Sequence, residues 1–467
     1  MTPDEFRTHG RALIDWIADY LDGVEQYPVS STLQPGQVRA MLPEHPPTQP
    51  EPFESVLADL DRVVIPGLTH WQHPNFFAYF PANVGYASIL GELAAAGLGV
   101  QGMSWVTSPA CTEVETLMLD WMLELLDLPA TFHSQSATGG GVIQGSASEA
   151  TLVAILAARW RATGGEVNRI GVDPTLVAYA TSQAHSSIEK GLRIAGIGTE
   201  RIRIVPHDHE FAMDPQALEA TIAADVADGL RPFFVCATRG TTSSTAFDPT
   251  PEIASIARRH GLWLHVDGAM SGIAALAPEL RWVNDGLADA DSYCTNPHKW
   301  MGINFDCDLF WTADRGALLG ALSILPEYLR SQAAQSGAAI DYRDWQVPLG
   351  RRFRALKLWF ALRTGAAAEA VDMIRAQVAL TQDLAGWMRA DDRFEVVAPH
   401  PLNLVCCRLR AGDEATDALI EAANETGRAL FTRTVLDGRV ALRFSVGARL
   451  TERRHVRAGW ELLQSLA

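Results

Sequence analysis

Lysine is scarce in this sequence of 467 residues. Only Lys190, Lys299 and Lys357 occur among its 38 basic residues, and all the others are arginines. The lysine amine is the protein group that forms imines with carbonyl compounds. If the protein uses imine chemistry, only these three residues can carry it.

An excess of positive charge is also absent. The chain has 38 basic and 55 acidic residues, so its formal net charge is −17 at pH 7. Such a surface repels nucleic-acid phosphates and anionic lipids. No run of about 18 uncharged apolar residues occurs, and residues 1–10 lack the apolar core of a secretory signal. We therefore expect a soluble, cytoplasmic protein that binds neither nucleic acid nor a membrane.

Paired cysteine motifs are missing too. None of the six cysteines forms a Cys-x-x-Cys pair, which disfavours a zinc site and a disulfide framework. We expect reduced, mostly buried thiols and no bound metal. With 48% hydrophobic and 20% charged residues, the chain instead has the composition of a globular protein with a sizeable core.

Short apolar runs alternate with helical patterns through the middle of the chain. The runs that we interpret as buried strands are 176–181, 232–238, 262–266 and 292–295. Helical patterns lie between them, for example at 147–161 and 249–260. This alternation predicts an α/β fold with a mainly parallel central sheet and helices on both faces.

The two ends of the chain differ from this middle part. An apolar stripe and a capping box predict an amphipathic helix over residues 2–22. After about residue 354, long helical stretches precede short strand-like runs, which predicts a small α+β domain. We therefore divide the chain into an N-terminal arm (1–85), a large domain (86–355) and a small C-terminal domain (356–467).

A segment rich in glycine and serine, residues 139–149, leads into the predicted helix at 147–161. The free N–H groups and the dipole of a helix N-terminus bind phosphate well. The segment is neither a dinucleotide-binding fingerprint nor a P-loop. A tight turn capped by serine explains it about as well as a phosphate site does.

Two further candidates lie at or just beyond predicted strands. Asp267 follows the run 262–266, at the edge where open α/β sheets bind ligands, although a helix-capping aspartate fits equally. His185 follows the run 176–181 and could stack on a flat heterocycle, although an ordinary buried or surface histidine has the same pattern.

The fourth candidate is Lys299, just after the run 292–295. It lies between His298 and Trp300, and desolvation in such a setting favours the neutral, reactive amine. Lys190 follows a glutamate and resembles a charge on a helix face, and Lys357 lies in an arginine-rich helical pattern, so Lys299 is favoured over both. A phosphate-binding helix end, a stacking histidine, a strand-end aspartate and a lysine are together the requirements of pyridoxal phosphate.

At these residues the chain resembles the group II pyridoxal-phosphate decarboxylases, and among them the aromatic-L-amino-acid decarboxylases. The matching motifs follow one another along nearly the whole chain, at 73–81, 108–113, 139–151, 184–187, 296–300 and 341–360. The resemblance implies the aspartate-aminotransferase fold (fold type I). It also implies a homodimer with its active sites at the interface, with the N-terminal arm packed on the partner.

The resemblance assigns a role to each site residue. Lys299 would hold pyridoxal 5′-phosphate as an imine, Asp267 would pair with its pyridine nitrogen, and His185 would stack on its ring. The other cofactor-binding positions would be Ala147, Ser148, Thr242, Asn296 and His298. The substrate-binding positions would be Trp71, Tyr79, Phe80, Ala82, Gln101, Met103, His185 and Gly350, with Gln101 and Met103 supplied by the partner subunit. After CO2 leaves, Tyr328 on a mobile loop would return a proton to the substrate carbon.

The implied activity is decarboxylation of aromatic L-amino acids to aromatic amines, with tryptophan, phenylalanine, tyrosine and DOPA all open. Gln101 could meet an indole N–H or a phenol, and Gly350 matches the glycine that plant relatives use for indolic substrates. Related aromatic aldehyde synthases tend to replace the loop tyrosine or the stacking histidine. Because Tyr328 and His185 are both retained, simple decarboxylation is favoured over aldehyde synthesis. An aminotransferase and a non-catalytic cofactor-binding protein are less favoured alternatives.

Overall fold

The computed structural model describes residues 1–324 and 339–467. These residues form two compact units. The sheet unit consists of Ala82–Ala379 and Ala398–Leu404, and the terminal unit consists of Met1–Pro81, Leu380–Val397 and Val405–Ala467. The division into an arm, a large domain and a small domain stays a prediction.

The strands are numbered in chain order over the described residues. They are β1 (Gly140–Gln144), β2 (Leu176–Thr181), β3 (Ile202–Val205), β4 (Arg231–Thr238), β5 (Trp263–Asp267), β6 (Ser292–Thr295), β7 (Asp308–Thr312), β8 (Phe394–Val396), β9 (Leu404–Leu409), β10 (Thr432–Leu436) and β11 (Arg439–Ser445).

The α-helices are numbered in the same way. They are α1 (Pro3–Gly23), α2 (Gln37–Met41), α3 (Phe53–Asp59), α4 (Tyr86–Leu98), α5 (Pro109–Leu125), α6 (Ala147–Ala162), α7 (Val167–Ile170), α8 (Ser187–Ile194), α9 (Pro215–Ala227), α10 (Thr250–His260), α11 (Pro297–Trp300), α12 (Arg315–Leu322), α13 (Arg354–Arg363), α14 (Ala366–Arg389), α15 (Asp413–Glu425) and α16 (Arg453–Leu466). Within the described ranges, none of them combines the length and the apolar character that a membrane span requires.

The sheet unit is built on a seven-stranded sheet with the order β1-β7-β6-β5-β4-β2-β3. Strands β3, β2, β4, β5 and β6 run parallel, and β7 is antiparallel to both of its neighbours. Every residue of β1, β2, β5, β6 and β7 is buried, as expected for strands covered on both faces. Helix α6 crosses the sheet and packs on β1 and on β4 to β7. The prediction of a mainly parallel sheet with helices is confirmed.

The terminal unit contains a four-stranded sheet with the order β10-β11-β9-β8. Its core joins residues of α14, α15 and α16 to these strands, with Phe77, Phe444 and Trp460 among the largest members. Helix α1 begins with the predicted capping box, in which Thr2 and Glu5 cap one another. The helix predicted over residues 2–22 is therefore confirmed.

Candidate active site

The carboxyl ends of six strands, β1 to β6, lie at one edge of the seven-stranded sheet. Strands β2 to β6 are parallel, and β1 points the same way as β6 because both are antiparallel to β7. We call this the carboxyl edge. The sequence-predicted cofactor residues all lie at it or in the segments that follow it: Ala147, Ser148, His185, Thr242, Asp267, Asn296, His298 and Lys299. Fold topology thus brings together residues that are far apart in sequence.

Asp267 is the last residue of β5 and is buried. One carboxylate oxygen, Oδ1, accepts a hydrogen bond from the Ala269 N–H at 2.9 Å and lies 4.0 Å from Cys294 Sγ. In the strand register Asp267 pairs with Thr238 on one side and with Cys294 on the other. This carboxylate is fixed at the middle of the carboxyl edge, where it can hold a protonated ring nitrogen.

Lys299 lies in the one-turn helix α11, just beyond β6. The turn is held to the sheet by the Asn296 N–H, which donates to the Ala269 carbonyl at 2.9 Å. Asn83 fixes the other side, because its backbone N–H donates to the His298 carbonyl at 3.1 Å and its Nδ2 donates to the Lys299 carbonyl at 2.5 Å. The lysine backbone is therefore held from two directions. Sequence reasoning missed Asn83, since nothing local marks it.

His298 is buried beside this lysine. Its Nδ1 accepts a hydrogen bond from the Cys307 N–H at 3.0 Å, and its ring meets Phe305 edge to face. Burial, aided by the positive charge of Lys299, lowers the pKa of His298 to about 3. A neutral imidazole that anchors the following loop is the role that this geometry shows, and a direct contact with the cofactor stays a prediction.

His185 follows β2 and its side chain is exposed. Its Nδ1 lies 2.9 Å from Ser187 Oγ and accepts from the Ser187 N–H at 3.1 Å, so the orientation of the ring is fixed. Desolvation by neighbouring atoms lowers its pKa, with Lys299 acting in the same direction and Asp267 opposing it. A fixed imidazole with an open face is suited to stacking on a flat ring.

The start of α6 fits a phosphate group. Its N-cap, Ser146, makes no side-chain cap bond, and within the described ranges the N–H groups of Ala147 and Ser148 have no hydrogen-bond acceptor. The buried Oδ1 of Asn296 likewise has no partner there. A side chain at Gly145 would approach the Glu149 carboxylate to 3.2 Å, so glycine leaves room for this carboxylate, which accepts from the Gly145 N–H at 3.0 Å. The unpaired N–H groups of Ala147 and Ser148 are donors to which a phosphate could bind.

Two predicted substrate residues, Gln101 and Gly350, lie against each other. The Gln101 Oε1 accepts from the Arg351 N–H at 2.5 Å, and a Cβ at Gly350 would come within 3.2 Å of the Gln101 Nε2. Met103 is half-buried and accepts from the Arg343 N–H through its carbonyl. Ala82 is half-buried as well. The glycine thus leaves room for the glutamine side chain.

Three other predicted substrate residues, Trp71, Tyr79 and Phe80, lie in the terminal unit, and the first two are in ring contact. Trp71 and Tyr79 stack with ring centroids 5.5 Å apart and are 38% and 53% exposed. Tyr79 has a positive φ of 51°, a conformation that few residues other than glycine adopt. Arg443 lies 5.1 Å from the ring of Phe80 and donates to the Tyr79 carbonyl at 3.4 Å. These residues present aromatic faces that an aromatic ligand could contact.

The remaining predictions concern the other lysines and the loop tyrosine. Lys357 is fully buried and forms an ion pair with Glu92 at 2.9 Å, and Lys190 is exposed on α8. Tyr328 lies outside the described residues, as do residues 331–337 of its predicted loop.

Comparison with known proteins gives consistent matches. Residues 35–410 match the model of the pyridoxal-dependent decarboxylase conserved domain. The chain is 44% identical to tryptophan decarboxylase 2 of Oryza sativa subsp. japonica, covering 100% of this chain and 95% of the relative. It is 43% identical to phenylacetaldehyde synthase of Arabidopsis thaliana, covering 100% and 96%. The crystal structure of Oryza sativa TDC with PLP and tryptamine matches with a TM-score of 0.96 at 42% identity, covering 100% and 98%.

Proposed function

The chain belongs to the pyridoxal-dependent decarboxylase family, and we propose that it removes the carboxylate of aromatic L-amino acids as CO2 and releases the aromatic amine. The observation that carries the proposal is the meeting of Lys299, Asp267 and His185 at one carboxyl edge. The resemblance to a tryptophan decarboxylase over the whole chain supports an aromatic substrate.

Pyridoxal phosphate, when bound, supplies an electron sink for the electron pair left behind as CO2 departs. The amine of Lys299 would hold the cofactor covalently, and the carboxylate of Asp267 would keep a proton on the pyridine nitrogen. The imidazole of His185, neutral because its pKa is lowered, would stack on the ring. The N–H groups of Ala147 and Ser148, with Asn296, would bind the phosphate, and Thr242 and His298 would complete the site.

Tyr328 is proposed to return a proton to the substrate Cα. A hydroxyl group near this carbon would complete amine formation before oxygen can react there. The resemblance to phenylacetaldehyde synthase motivates the alternative function, which is oxidative release of an aldehyde, ammonia and peroxide. Retention of Tyr328 and His185 favours the amine as product.

The substrate side chain is proposed to bind aromatic residues Trp71, Tyr79 and Phe80, with Ala82, Gln101, Met103 and Gly350 setting its size and polarity. A thioether at residue 103 adapts its shape more readily than a rigid ring does. The amide of Gln101 has a polar atom that could meet an indole N–H. These features favour an indole-tolerant pocket.

We further propose a cytoplasmic homodimer, in which Gln101 and Met103 enter the partner's active site. All six cysteines are buried, and none of them forms a disulfide within the described ranges, which suits a reducing compartment. Apolar side chains of α4 support a second copy as partner, because Tyr86, Leu90 and Leu93 are spaced along one exposed stripe.

The test is an aerobic turnover assay with tryptophan, phenylalanine, tyrosine and DOPA, in which amine, aldehyde and peroxide are measured together. Amine and CO2 in equal amounts with little peroxide are expected. Aldehyde and peroxide in equal amounts would instead establish the aldehyde synthase. Activity on glutamate or histidine alone would contradict the proposed substrate class.

A further inference from the structure

Asp308, the first residue of β7, lies on the same sheet face as Asp267. Phe310 pairs with Cys294, and Cys294 pairs with Asp267, so the side chains of these three residues share one face. Asp308 precedes Phe310 by two residues and therefore points to that face as well. Because β7 is antiparallel to β6, its first residue lies at the carboxyl edge.

The register also places Asp308 beside the proposed phosphate site. Asp308 pairs with Gln144, the last residue of β1, three residues before the start of α6. On the other side Leu309 pairs with Thr295, so the next position opposite Asp308 is Asn296. Asp308 is thus flanked by the strand that leads to the helix N-terminus and by the asparagine proposed to bind phosphate.

The carboxyl group of Asp308 is fully buried, at 0% exposure. Within residues 1–324 and 339–467, neither of its oxygens has a hydrogen-bond partner, and the same is true of Gln144 Oε1 and Asn296 Oδ1. An ionised carboxylate without a donor is very unfavourable in such a place. A neutral acid avoids that penalty and gains one hydrogen-bond donor.

With one exception, the charged groups around Asp308 raise its pKa. Burial raises the pKa of Asp308 well above its usual range, and the carboxylates of Asp267 on β5 and Glu149 on α6 raise it further. Lys299 on α11 opposes them. The thiol of Cys294 shares this sheet face and Cys307 precedes Asp308 in the chain, and burial keeps both thiols protonated.

We propose that Asp308 is a cofactor-positioning residue, a neutral acid whose hydroxyl donates a hydrogen bond to the phosphate of pyridoxal phosphate. A phosphate offers only acceptors, so it is complementary to a protonated acid and repels an ionised one. No lysine or arginine is among the residues proposed to bind the phosphate, so an additional donor there matters. The inference rests on the proposed function only in its choice of cofactor.

The test compares the affinities of cofactor-free protein for pyridoxal phosphate and for pyridoxal, which lacks the phosphate, by quenching of tryptophan fluorescence. Asp308→Ala should weaken binding of pyridoxal phosphate by roughly ten- to a hundredfold, the range for a hydrogen bond to a charged group. Binding of pyridoxal should change less than about threefold. Asp308→Asn has similar size and a neutral donor, and should bind pyridoxal phosphate within about threefold of wild type.

The pH dependence supplies a second readout. Because the binding form of Asp308 is protonated, the wild-type affinity for pyridoxal phosphate should fall, relative to that of Asp308→Asn, as pH rises through the pKa of this acid. Asp291→Asn is the matched control, since this acid lies at the opposite edge of the sheet and pairs with Arg161. Its pH profile should follow the wild type. Thermal unfolding of each cofactor-free variant checks that the fold is retained.

Several results would overturn the inference. If Asp308→Ala weakens pyridoxal and pyridoxal phosphate equally, the residue acts through the fold and not through the phosphate. Tighter binding of pyridoxal phosphate by both variants would mean that Asp308 is ionised and repels it. Failure of the wild type to bind pyridoxal phosphate would overturn the inference together with its premise. Binding without amine production would sink only the proposed function, since cofactor affinity is measured without turnover.

Discussion

The choice of Lys299 over the other two lysines rests on backbone position. Its turn is fixed at the carboxyl edge by Asn83 and by the bond from Asn296 to Ala269. Lys299→Ala should therefore lower amine production by on the order of a thousandfold or more, because the cofactor loses its covalent attachment. Initial rates with tryptophan measure this. Lys190→Ala, which removes an exposed amine, should keep the wild-type rate, and equal losses in both variants would contradict the assignment.

Gly350 is the residue at which a small change should alter substrate choice. A Cβ there would lie 3.2 Å from the Gln101 Nε2, so Gly350→Ser must displace that amide. We expect kcat/KM for tryptophan to fall by roughly tenfold, while the value for tyrosine changes less, because a pocket contact of this kind is worth about 1–3 kcal/mol. Gly386→Ser is the control, since nothing lies within 4 Å of a Cβ at that site. An unchanged tryptophan-to-tyrosine ratio in Gly350→Ser would refute the role.

Among single residues, those that lie at the end of a predicted strand can be placed from the sequence. Asp267 closes a buried strand and Lys299 follows the next one, and scarcity alone reduced the lysine candidates to three. Asn83 and Asp308 could not be found in this way. The first acts through bonds to backbone more than 200 positions away, and the second depends on the register of an unpredicted strand.

Among the elements, two strands of the parallel part of the sheet were predicted with their observed bounds. The runs at 176–181 and 292–295 coincide with β2 and β6, and the predicted helices at 147–161 and 249–260 end within one residue of α6 and α10. Strands β1, β3 and β7 of the seven-stranded sheet and β10 of the four-stranded sheet were missed. The glycines of β1 conceal a strand, β3 is short and half-exposed at the sheet edge, and β7 begins with an acid. In these three segments, pairing with neighbouring strands of the sheet outweighs the preference of the local sequence.

One buried ion pair joins α5, β1 and the segment before α13. Arg351 pairs with Glu115, and the Glu115 carboxylate also accepts from the Ile143 N–H at 2.8 Å. The Nη1 of Arg351 donates to the Gln346 Oε1 at 2.6 Å. Arg351→Ala leaves Glu115 buried without its cation and should lower the free energy of unfolding by about 3–5 kcal/mol. Thermal unfolding of the cofactor-free protein measures the loss.

The exposed pair of Arg457 with Glu461 serves as the control for that experiment. Its side chains are about half exposed, and Arg457→Ala should change stability by less than about 1 kcal/mol. If the two substitutions lower the unfolding midpoint equally, the buried pair has no special part in joining the three elements.

For the whole molecule, buried histidines predict a loss of stability in weak acid. Burial lowers the pKa of His73 and His265 to about 4 and that of His298 to about 3, whereas all three titrate near 6.5 when unfolded. The unfolded chain therefore binds more protons below pH 6.5, and stability falls as pH falls from there towards 4. Each histidine contributes up to about 2–3 kcal/mol of that loss at pH 4.5.

The unfolding midpoint of the cofactor-free protein, measured between about pH 7.5 and 4.5, tests this prediction. His265→Gln should flatten the decline, because one titrating group is removed from the folded interior. An identical pH profile for wild type and variant would show that other groups control acid unfolding.

The exposed apolar stripe of α4, formed by Tyr86, Leu90 and Leu93, leads to a prediction about the proposed dimer. Leu90 and Leu93 are 46% and 48% exposed, while the opposite side of the helix packs so closely on α13 that a Cβ at Gly91 would come within 2.6 Å of the Lys357 Cα. An exposed apolar stripe on a helix whose other side is packed is typical of a protein-interaction surface, which is where the proposed dimer would form. Leu90→Glu combined with Leu93→Glu should therefore convert a dimer to a monomer, as measured by sedimentation.

The same double variant should lose amine production if Gln101 and Met103 complete the partner's site. Ile170→Glu is the control, because this side chain is 69% exposed on the short helix α7. The substitution should change neither the mass of the particle nor the rate of amine production. A monomer that keeps the wild-type rate would separate assembly from catalysis and would place the substrate residues within one chain. A double variant that stays dimeric would show that α4 faces solvent, and the interface would then have to lie elsewhere.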